Sequence, residues 1–271
     1  MSESFISVGA LGDGFAADPN ILEPTSDLDG ESFELELEGA RTTLSLSGGV
    51  ARFAGDVETP GFPARVTSVR DGVYLLDGVV EQGGTTTSVT AVLDAADGLV
   101  TLVEGTLPDD AVRAESAYTR VQRGDEPTGV TARIRHGRVA GSTAPLHAPT
   151  TELVGMRNRY TYSPNEAYEH VYLTPDLYTW HCLQGVEKGL ADTDRCHHVT
   201  IRDRLTLFVW REKIVPTLGL ILVDLERMKT DGKIFGNDGF DTTTFVNFPV
   251  GARAEVLNVT DHVVDPAGVE A

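Results

Sequence analysis

The chain has 271 residues, and 41% of them are apolar, which is enough for one large domain or two domains of ordinary size. Its formal net charge is −19, from 41 acidic and 22 basic residues, and such a field repels the phosphate groups of nucleic acids and anionic membranes. We therefore expect neither nucleic acid nor a membrane as a partner. Two Cys are too few for a disulfide framework, and the N-terminal residues lack the pattern of a signal peptide, so we expect a cytoplasmic protein.

Alternation of apolar and polar residues, interrupted by turn residues, predicts a mostly β chain. Few segments show apolar residues at helical spacing over several turns. In the first half we predict eight short strands, joined by glycine-containing turns such as SGG, RDG and QGG. These strands cover residues 33–38, 42–47, 50–54, 64–69, 72–79, 85–94, 99–105 and 115–122.

A second series of predicted strands begins near residue 156. Its segments are 156–162, 168–174, 177–183, 197–201, 205–212, 218–225, 233–236, 242–248 and 252–259. The region between the two series is rich in Gly and Pro, which indicates a connector, although residues 130–140 could add an edge strand. We predict an N-terminal domain over residues 1–125, a connector over 126–152 and a C-terminal domain over 153–271.

The two series also resemble each other in sequence. Residues 88–105 show the same order of strand, Asp, turn glycine and strand as residues 218–236. About eight short antiparallel strands in each half is the number found in up-and-down barrels. We therefore predict an all-β fold of two tandem calycin- or lipocalin-like antiparallel β-barrels, with a single β-sandwich as the alternative. A barrel of this size is either filled by side chains or holds one small ligand.

Aromatic residues concentrate in the second half, which holds both Trp, both Cys and five of the seven Tyr. Because alternate residues of a strand share a face, one face of four neighbouring strands is predicted to carry an aromatic wall. The wall comprises Tyr160, Tyr162, Tyr168, His170, Tyr172, Tyr178, Trp180, Cys182, Phe208, Trp210 and Glu212.

A carboxylate in such a wall loses hydration, which raises its pKa and allows general acid catalysis near neutral pH. We predict Glu212 as the catalytic acid or base, with Tyr160 and Tyr162 as catalytic donors that orient the ligand. The remaining predicted ligand contacts are Tyr168, His170, Tyr178, Trp180, Cys182 and Trp210.

The alternative is that these side chains simply fill the barrel and that Glu212 pairs with a cation such as Arg211 or Lys213. The many polar groups in the wall favour a pocket, because a filled core rarely keeps so many of them. The run Cys196-His197-His198 does not predict a metal site, since successive strand residues point to opposite faces. We expect neither a metal nor a cofactor.

Two long segments carry a specific resemblance. They are YTYSPNEAYEHVYLTPDLYTWHCLQGVEKGLADTD at 160–194 and FVWREKIVPTLG at 208–219. They resemble the molybdenum cofactor biosynthesis protein F (MoaF) family, as do HAPTTELVGMRNRYTYS before them, GARAEVLNVTD at the end and, more loosely, the first half. The resemblance implies a fold more firmly than an activity, and a link to molybdenum rests on the family name alone.

The same region is similar, more distantly, to the phenolic acid decarboxylases, which are single calycin-like barrels. Their Tyr-Thr-Tyr strand matches residues 160–162, and their aromatic-acidic strand matches Tyr168 and Glu169. Their Trp-x-Glu strand matches Trp210 and Glu212. The resemblance implies that two tyrosines orient a substrate carboxylate while the glutamate protonates a side-chain double bond, without a cofactor.

The chain departs from the decarboxylase pattern at one position. Those enzymes place an arginine a few residues beyond the glycine that matches Gly185, where this chain has Leu190. The nearest cations are Lys188 and Arg195. A pocket for a small aromatic ligand is therefore implied, and decarboxylation of a cinnamate is not.

Three hypotheses of different classes follow. In the first, the C-terminal barrel binds a small aromatic metabolite and performs cofactor-free acid–base chemistry of lyase or isomerase type. In the second, the protein is a non-catalytic carrier or sensor linked to molybdenum cofactor biosynthesis or to amine and aromatic catabolism. In the third, the barrel with the aromatic wall is filled by its own side chains, and the protein is an assembly partner that binds no small ligand. The N-terminal barrel lacks the aromatic wall, so we expect it to be structural or to mediate a homodimer.

Overall fold

The computed structural model describes residues 4–16 and 18–261. The first half begins with a short helix and forms an antiparallel barrel in which each strand pairs with the next and the last pairs with the first. Its elements are α1 (Val8–Phe15), β1 (Ser32–Leu37), β2 (Ala40–Ser47), β3 (Val50–Gly55), β4 (Phe62–Arg70), β5 (Val73–Gln82), β6 (Thr85–Asp94), β7 (Leu99–Gly105), α2 (Asp110–Arg113), α3 (Ala117–Gln122) and β8 (Arg133–Val139).

The second half forms another antiparallel barrel, closed by pairing of β12 with β13, and the short strand β9 adds to the edge of β13. Its elements are β9 (Ala148–Pro149), β10 (Met156–Thr161), β11 (Ala167–Thr174), β12 (Leu177–Gln184), β13 (Ala191–Arg202), β14 (Leu205–Glu212), β15 (Thr217–Asp224), β16 (Lys229–Asn237) and β17 (Phe245–Val259). The predicted fold of two tandem eight-stranded antiparallel barrels is thus confirmed. None of the described helices is long and apolar enough to cross a membrane.

Two segments differ from the predicted elements. Residues 115–122 were expected to form a strand, and this prediction is wrong, because residues 117–122 form the helix α3. The side chain of Ser116 caps this helix by accepting the backbone N–H of Thr119, and the apolar Val121 stays exposed, so no alternating face is buried. The strand that closes the first barrel is β8, which lies within the predicted connector and pairs with both β1 and β7.

The interiors of the two barrels differ in composition. The first is filled mainly by aliphatic side chains such as Leu37, Leu44 and Leu102, together with Phe53. The second contains most of the predicted aromatic wall together with aliphatic residues of β15 and β16. The aromatic side chains of the predicted wall thus lie in the core of the second barrel.

The barrels pack against each other through the outer faces of β4–β7 and β13–β16, which form one apolar cluster. In β14 and β15 the inner residues face the second barrel's core while the outer residues face the first barrel, and both faces are buried. This explains why residues 218–223 form a run without polar side chains instead of an alternating pattern.

Two ion pairs cross this interface at equivalent positions of the repeat. Arg70 at the end of β4 pairs with Asp224 at the end of β15, with nitrogen–oxygen distances of 2.7 and 2.8 Å. Arg202 at the end of β13 pairs with Asp94 at the end of β6, at 2.6 and 2.7 Å. The sequence repeat is thus a structural duplication in which each barrel supplies one arginine and one aspartate to the other.

Candidate functional site

The second barrel encloses a cavity of about 30 Å³ beneath the helix α1. Side chains from the helix, from several barrel strands and from the turn between β12 and β13 surround it. They are Leu11, Phe15, Tyr162, Tyr168, His170, Tyr178, Trp180, Glu187, Trp210, Glu212 and Ile234. Seven of the nine predicted site residues are therefore brought together around one space.

Tyr160 and Cys182 are the two predicted residues that do not line this cavity. The Tyr160 hydroxyl lies 2.7 Å from the Tyr172 hydroxyl and accepts a hydrogen bond from Asn158 Nδ2 at 3.1 Å, so its polar group already has protein partners. Cys182 is fully buried, and burial raises the pKa of its thiol to about 11. Both residues belong to the same buried core as the wall residues.

Glu212 reaches the cavity from the end of β14. The indole Nε1–H of Trp210 donates a hydrogen bond of 2.8 Å to its Oε1 atom. Burial raises the pKa of Glu212 well above its ordinary value, and the carboxylates of Asp194 and Glu187 raise it further. The side chain lies deep in the barrel yet keeps part of its surface accessible, because it borders the cavity. A protonated carboxyl group in this setting suits general acid catalysis.

The other tryptophan contacts a carboxylate in the same way. Trp180 Nε1–H donates to Asp194 Oδ2 at 3.1 Å, and Asp194 lies on β13. The ammonium of Lys213 lies 2.6 Å from Asp192 and 3.3 Å from Asp194. Both indoles are thus fixed in orientation by buried hydrogen bonds.

Glu187 is a cavity residue that the alternation pattern did not reveal. It lies in the turn between β12 and β13, where strand periodicity gives no information about direction. The Tyr168 hydroxyl donates a hydrogen bond of 3.2 Å to its Oε2 atom. Burial raises the pKa of Glu187 to about 6, and the nearby carboxylate of Glu166 adds to this shift. The sequence feature that could have indicated Glu187 is its position within residues 160–194, the segment that carries the family resemblance. It lies close to Leu190, where the phenolic acid decarboxylases have an arginine.

The polar groups of the remaining wall residues are uncharged. Burial lowers the pKa of His170 to about 3, so its imidazole is neutral at physiological pH. Burial raises the pKa values of Tyr162 and Tyr178. Among the described residues, neither of these two hydroxyls has a hydrogen-bond partner, and both tyrosines line the cavity.

The helix α1 covers the mouth of the barrel and contributes Leu11 and Phe15 to the cavity. The Phe15 ring packs against Tyr162 and Tyr168, with centroid distances of 4.7 and 5.7 Å. The sequence VGALGDGF contains three glycines, and each costs about 1 kcal/mol of helix stability relative to alanine. The side chain of Ser7 caps the helix, but packing on the barrel must supply most of its stability.

The glycines of α1 face the barrel closely. A Cβ atom on Gly12 would lie 3.0 Å from the ring of Phe248, and one on Gly14 would lie 2.9 Å from Glu166 Oε1 and Val186 Cγ1. The sequence alone does not predict this helix. Only Val8, Leu11 and Phe15 follow the helical spacing of apolar residues, and the glycines between them disfavour a helix. The barrel's lid is therefore a helix with low intrinsic stability that fits the rim by shape.

The cavity as it stands has about the volume of one water molecule. Wider clefts lie on the surface, for example one of about 670 Å³ at the interface, but it is an open groove whose Arg70 and Arg202 are already paired. In residues 4–16 and 18–261 no group of three His, Cys, Asp or Glu side chains is placed to hold a metal ion.

The fold and the cavity define a tandem β-barrel protein with an enclosed aromatic and acidic chamber in its second barrel. Two family models match the chain, described as the MoaF N-terminal domain over residues 3–109 and the MoaF C-terminal domain over residues 147–260. The chain is also similar to a curated relative, Protein MoaF of Klebsiella aerogenes, with 45% identity over 270 residues, which is 95% of this chain and 97% of the relative. The chain therefore belongs to the MoaF family, which confirms the resemblance seen in the sequence.

One solved structure, described as a putative beta-lactamase from Burkholderia vietnamiensis, aligns with 39% of this chain and 95% of its own, at a TM-score of 0.34 and 8% identity. A likeness of this size carries no argument about fold or function.

Proposed function

We propose that the second barrel binds a small aromatic metabolite in the chamber beneath α1 and that Glu212 acts on it as a general acid or base. The observation that carries this proposal is the arrangement of Glu212, fixed by the Trp210 indole, beside two tyrosine hydroxyls without protein partners. A chamber that only filled the barrel would not need an acid and two free donors aimed at a shared space.

Entry of a ligand requires the lid to move. The cavity is far smaller than an aromatic ring, and the side chains nearest the mouth are Leu11 and Phe15 of α1. Displacing these two side chains frees the space that a small ring needs, and the glycines of α1 make its undocking less costly than that of an alanine-rich helix. The proposal therefore includes α1 as the element that opens.

The role of Tyr160 in this proposal is to position other residues. Its hydroxyl bonds to Tyr172, so it holds the wall while Tyr162 and Tyr178 present hydroxyls to the ligand. Proton transfer between Glu212 and a bound molecule requires no cofactor. The reaction would therefore be one that proton transfer alone can drive, of lyase or isomerase type.

The test is a tryptophan fluorescence titration with a panel of small aromatic acids, amines and aldehydes, followed by product analysis. Trp180 and Trp210 both border the cavity, so an entering ligand must perturb the emission. We expect saturable quenching, and we expect Phe15→Ala to bind more tightly because it enlarges the chamber. Saturable quenching with product formation supports an enzyme, and Glu212→Gln should then lower turnover by about 10²–10⁴-fold.

Three outcomes would change this proposal. Steady quenching without product would leave the non-catalytic carrier or sensor as the function. Full turnover by Glu212→Gln would remove Glu212 from the chemistry. If neither wild type nor Phe15→Ala responds to any compound of the panel, the chamber is a filled core and the proposal is wrong.

A further inference from the structure

The charged side chains that line the chamber are all acidic among the described residues. Its lining includes two carboxyl groups, those of Glu187 and Glu212, and among the described residues no Lys or Arg borders it. His170 does not supply the missing charge, because its buried imidazole is neutral. A carboxylate or phosphate group of a ligand would therefore enter without a cationic partner.

The surroundings of the chamber do not correct this imbalance. The charged groups that act most strongly on Glu212 are Asp194, Glu187 and Asp192, and all three are acidic. The cation nearest to them, Lys213, is held by Asp192 and Asp194 and does not line the chamber. Both Glu187 and Glu212 thus lie in an environment that favours either protonation or the arrival of a positive charge.

The aromatic rings of the lining suit a cation as well. Trp180 and Tyr168 lie with ring centroids 6.4 Å apart, and Trp210 and Tyr178 lie 6.1 Å apart, on the walls of the same chamber. The faces of Trp and Tyr attract ammonium groups through their ring quadrupoles, and several such rings together form the usual cage for organic cations.

We propose that the ligand is a small arylalkyl amine, bound as its ammonium form between Glu187 and Glu212 with its ring against the aromatic wall. This inference rests on the proposed binding function and adds the sign of the ligand's charge. It differs from the substrate class that the decarboxylase resemblance implies, since an aromatic acid would bring a carboxylate into a chamber that already holds two acidic groups and no cation among its described lining residues. It also disfavours phosphate-bearing ligands for the same reason.

Binding would be linked to proton release. Burial and like charges keep a proton on Glu212 when the chamber is empty, whereas a bound ammonium group stabilises the carboxylate form. The proton leaves to solvent as the cation enters, so the net charge brought into the chamber is small. The cation thereby replaces the proton as the partner of the carboxylate, and this exchange can be measured separately from affinity.

The experiment compares three compounds that differ in one group: benzylamine, benzyl alcohol and benzoate. Each is titrated into wild type and into Phe15→Ala at neutral pH, by tryptophan fluorescence and by calorimetry in two buffers of different ionisation enthalpy. We expect benzylamine to bind about tenfold or more tightly than benzyl alcohol, and benzoate to bind most weakly. Benzylamine should give a buffer-dependent enthalpy because it displaces a proton, whereas the uncharged benzyl alcohol should give none.

Variants test whether the affinity for benzylamine depends on the carboxyl groups of the chamber or only on its shape. Glu212→Gln and Glu187→Gln should each weaken benzylamine by about tenfold and leave benzyl alcohol nearly unchanged. The matched control is Glu255→Gln, whose carboxylate pairs with Arg159 and is 54% exposed, and it should change neither affinity.

Two results would overturn the inference. If benzyl alcohol or benzoate binds as tightly as benzylamine, the sign of the charge is wrong, while the proposed binding function still stands. If none of the three compounds perturbs either protein, the inference is wrong, and the titration with the full panel of aromatic compounds decides the proposed function.

Discussion

The ion pair between Arg202 and Asp94 offers a sharp test of how the two barrels are held together. Asp94 is fully buried, and Arg202 donates two hydrogen bonds to it across the interface. Arg202→Met keeps the length and apolar stem of the side chain but removes both bonds. Asp94 would retain only the backbone N–H of Asp97 as a donor.

The expected cost follows from burial. Removing one partner of a buried pair leaves an uncompensated charge, which typically costs about 3–5 kcal/mol. The pKa of Asp94 lies below its ordinary value of 3.8 because burial, which alone would raise it, is outweighed by hydrogen bonds from Arg202 and from the Asp97 backbone. A lowered folded-state pKa means that the stabilisation is present above pH 3.8 and is lost as the pH falls through the folded-state value. The variant should therefore differ most from wild type near neutral pH.

The assay is urea unfolding followed by tryptophan fluorescence and by circular dichroism. Fluorescence reports the second barrel alone, since it contains both Trp, whereas circular dichroism reports both barrels. The matched control is Arg159→Met, whose pair with Glu255 is 46% and 54% exposed and should contribute about 1 kcal/mol or less. If Arg202→Met costs no more than this control, the interface pair does not hold the barrels together and the reasoning is refuted.

Three further predictions follow from buried groups. Burial raises the pKa values of Cys182 and Cys196 to about 11 and about 12, so both thiols should react with an aromatic disulfide reagent only after unfolding; fast native reaction would contradict this. Gly219→Ala places a Cβ atom against the Trp210 indole and should cost about 1–3 kcal/mol in urea melts, with shifted emission. Because the folded-state pKa of Glu212 is raised above 4.5, its contribution to stability falls as the pH rises above 4.5; Glu212→Gln should therefore gain stability relative to wild type as the pH rises from 4.5, and a constant difference would contradict the raised pKa.

The strands were predictable because their patterns are local. The predicted strands 85–94 and 99–105 coincide with β6 and β7, since alternation and glycine turns mark both ends. The wall of the chamber was predictable for the same reason: side chains two residues apart share a face, so Trp210 and Glu212 had to point the same way. These features need no knowledge of distant contacts.

The missing features depend on contacts between distant parts of the chain. The helix α1 is stabilised by packing on the rim of the second barrel, where its glycines allow close contact. The residues of that rim are distant in sequence, so residues 8–15 alone do not predict the helix. Glu187 faces the chamber because of the path of the turn between β12 and β13. The alternation of side chains that holds in strands does not apply to a turn, so the sequence did not indicate its direction. The helix α3 replaced a predicted strand because the Ser116 cap outweighed a short β-like pattern without a face to bury. The small size of the cavity follows from the lid, so sequence alone could not give it.

The second barrel's strands explain why the first barrel is needed. β14 carries Trp210 and Glu212 on its inner face, and on its outer face Leu207 and Val209 pack against the first barrel. A single barrel would leave that outer face in water, where β14 would be free to move and its outward leucine and valine would be exposed. The duplicated barrel buries the back of the strand that holds the acid, and the crossing arginine–aspartate pairs fix the register of that contact. A strand that is buried on both sides can keep a desolvated carboxyl group in place, whereas the side of the chamber opposite it, beneath α1, is closed only by a glycine-rich helix. The molecule thus combines a strand that is buried on both sides with a glycine-rich cover, which is the arrangement that the proposed entry of a ligand beneath α1 requires.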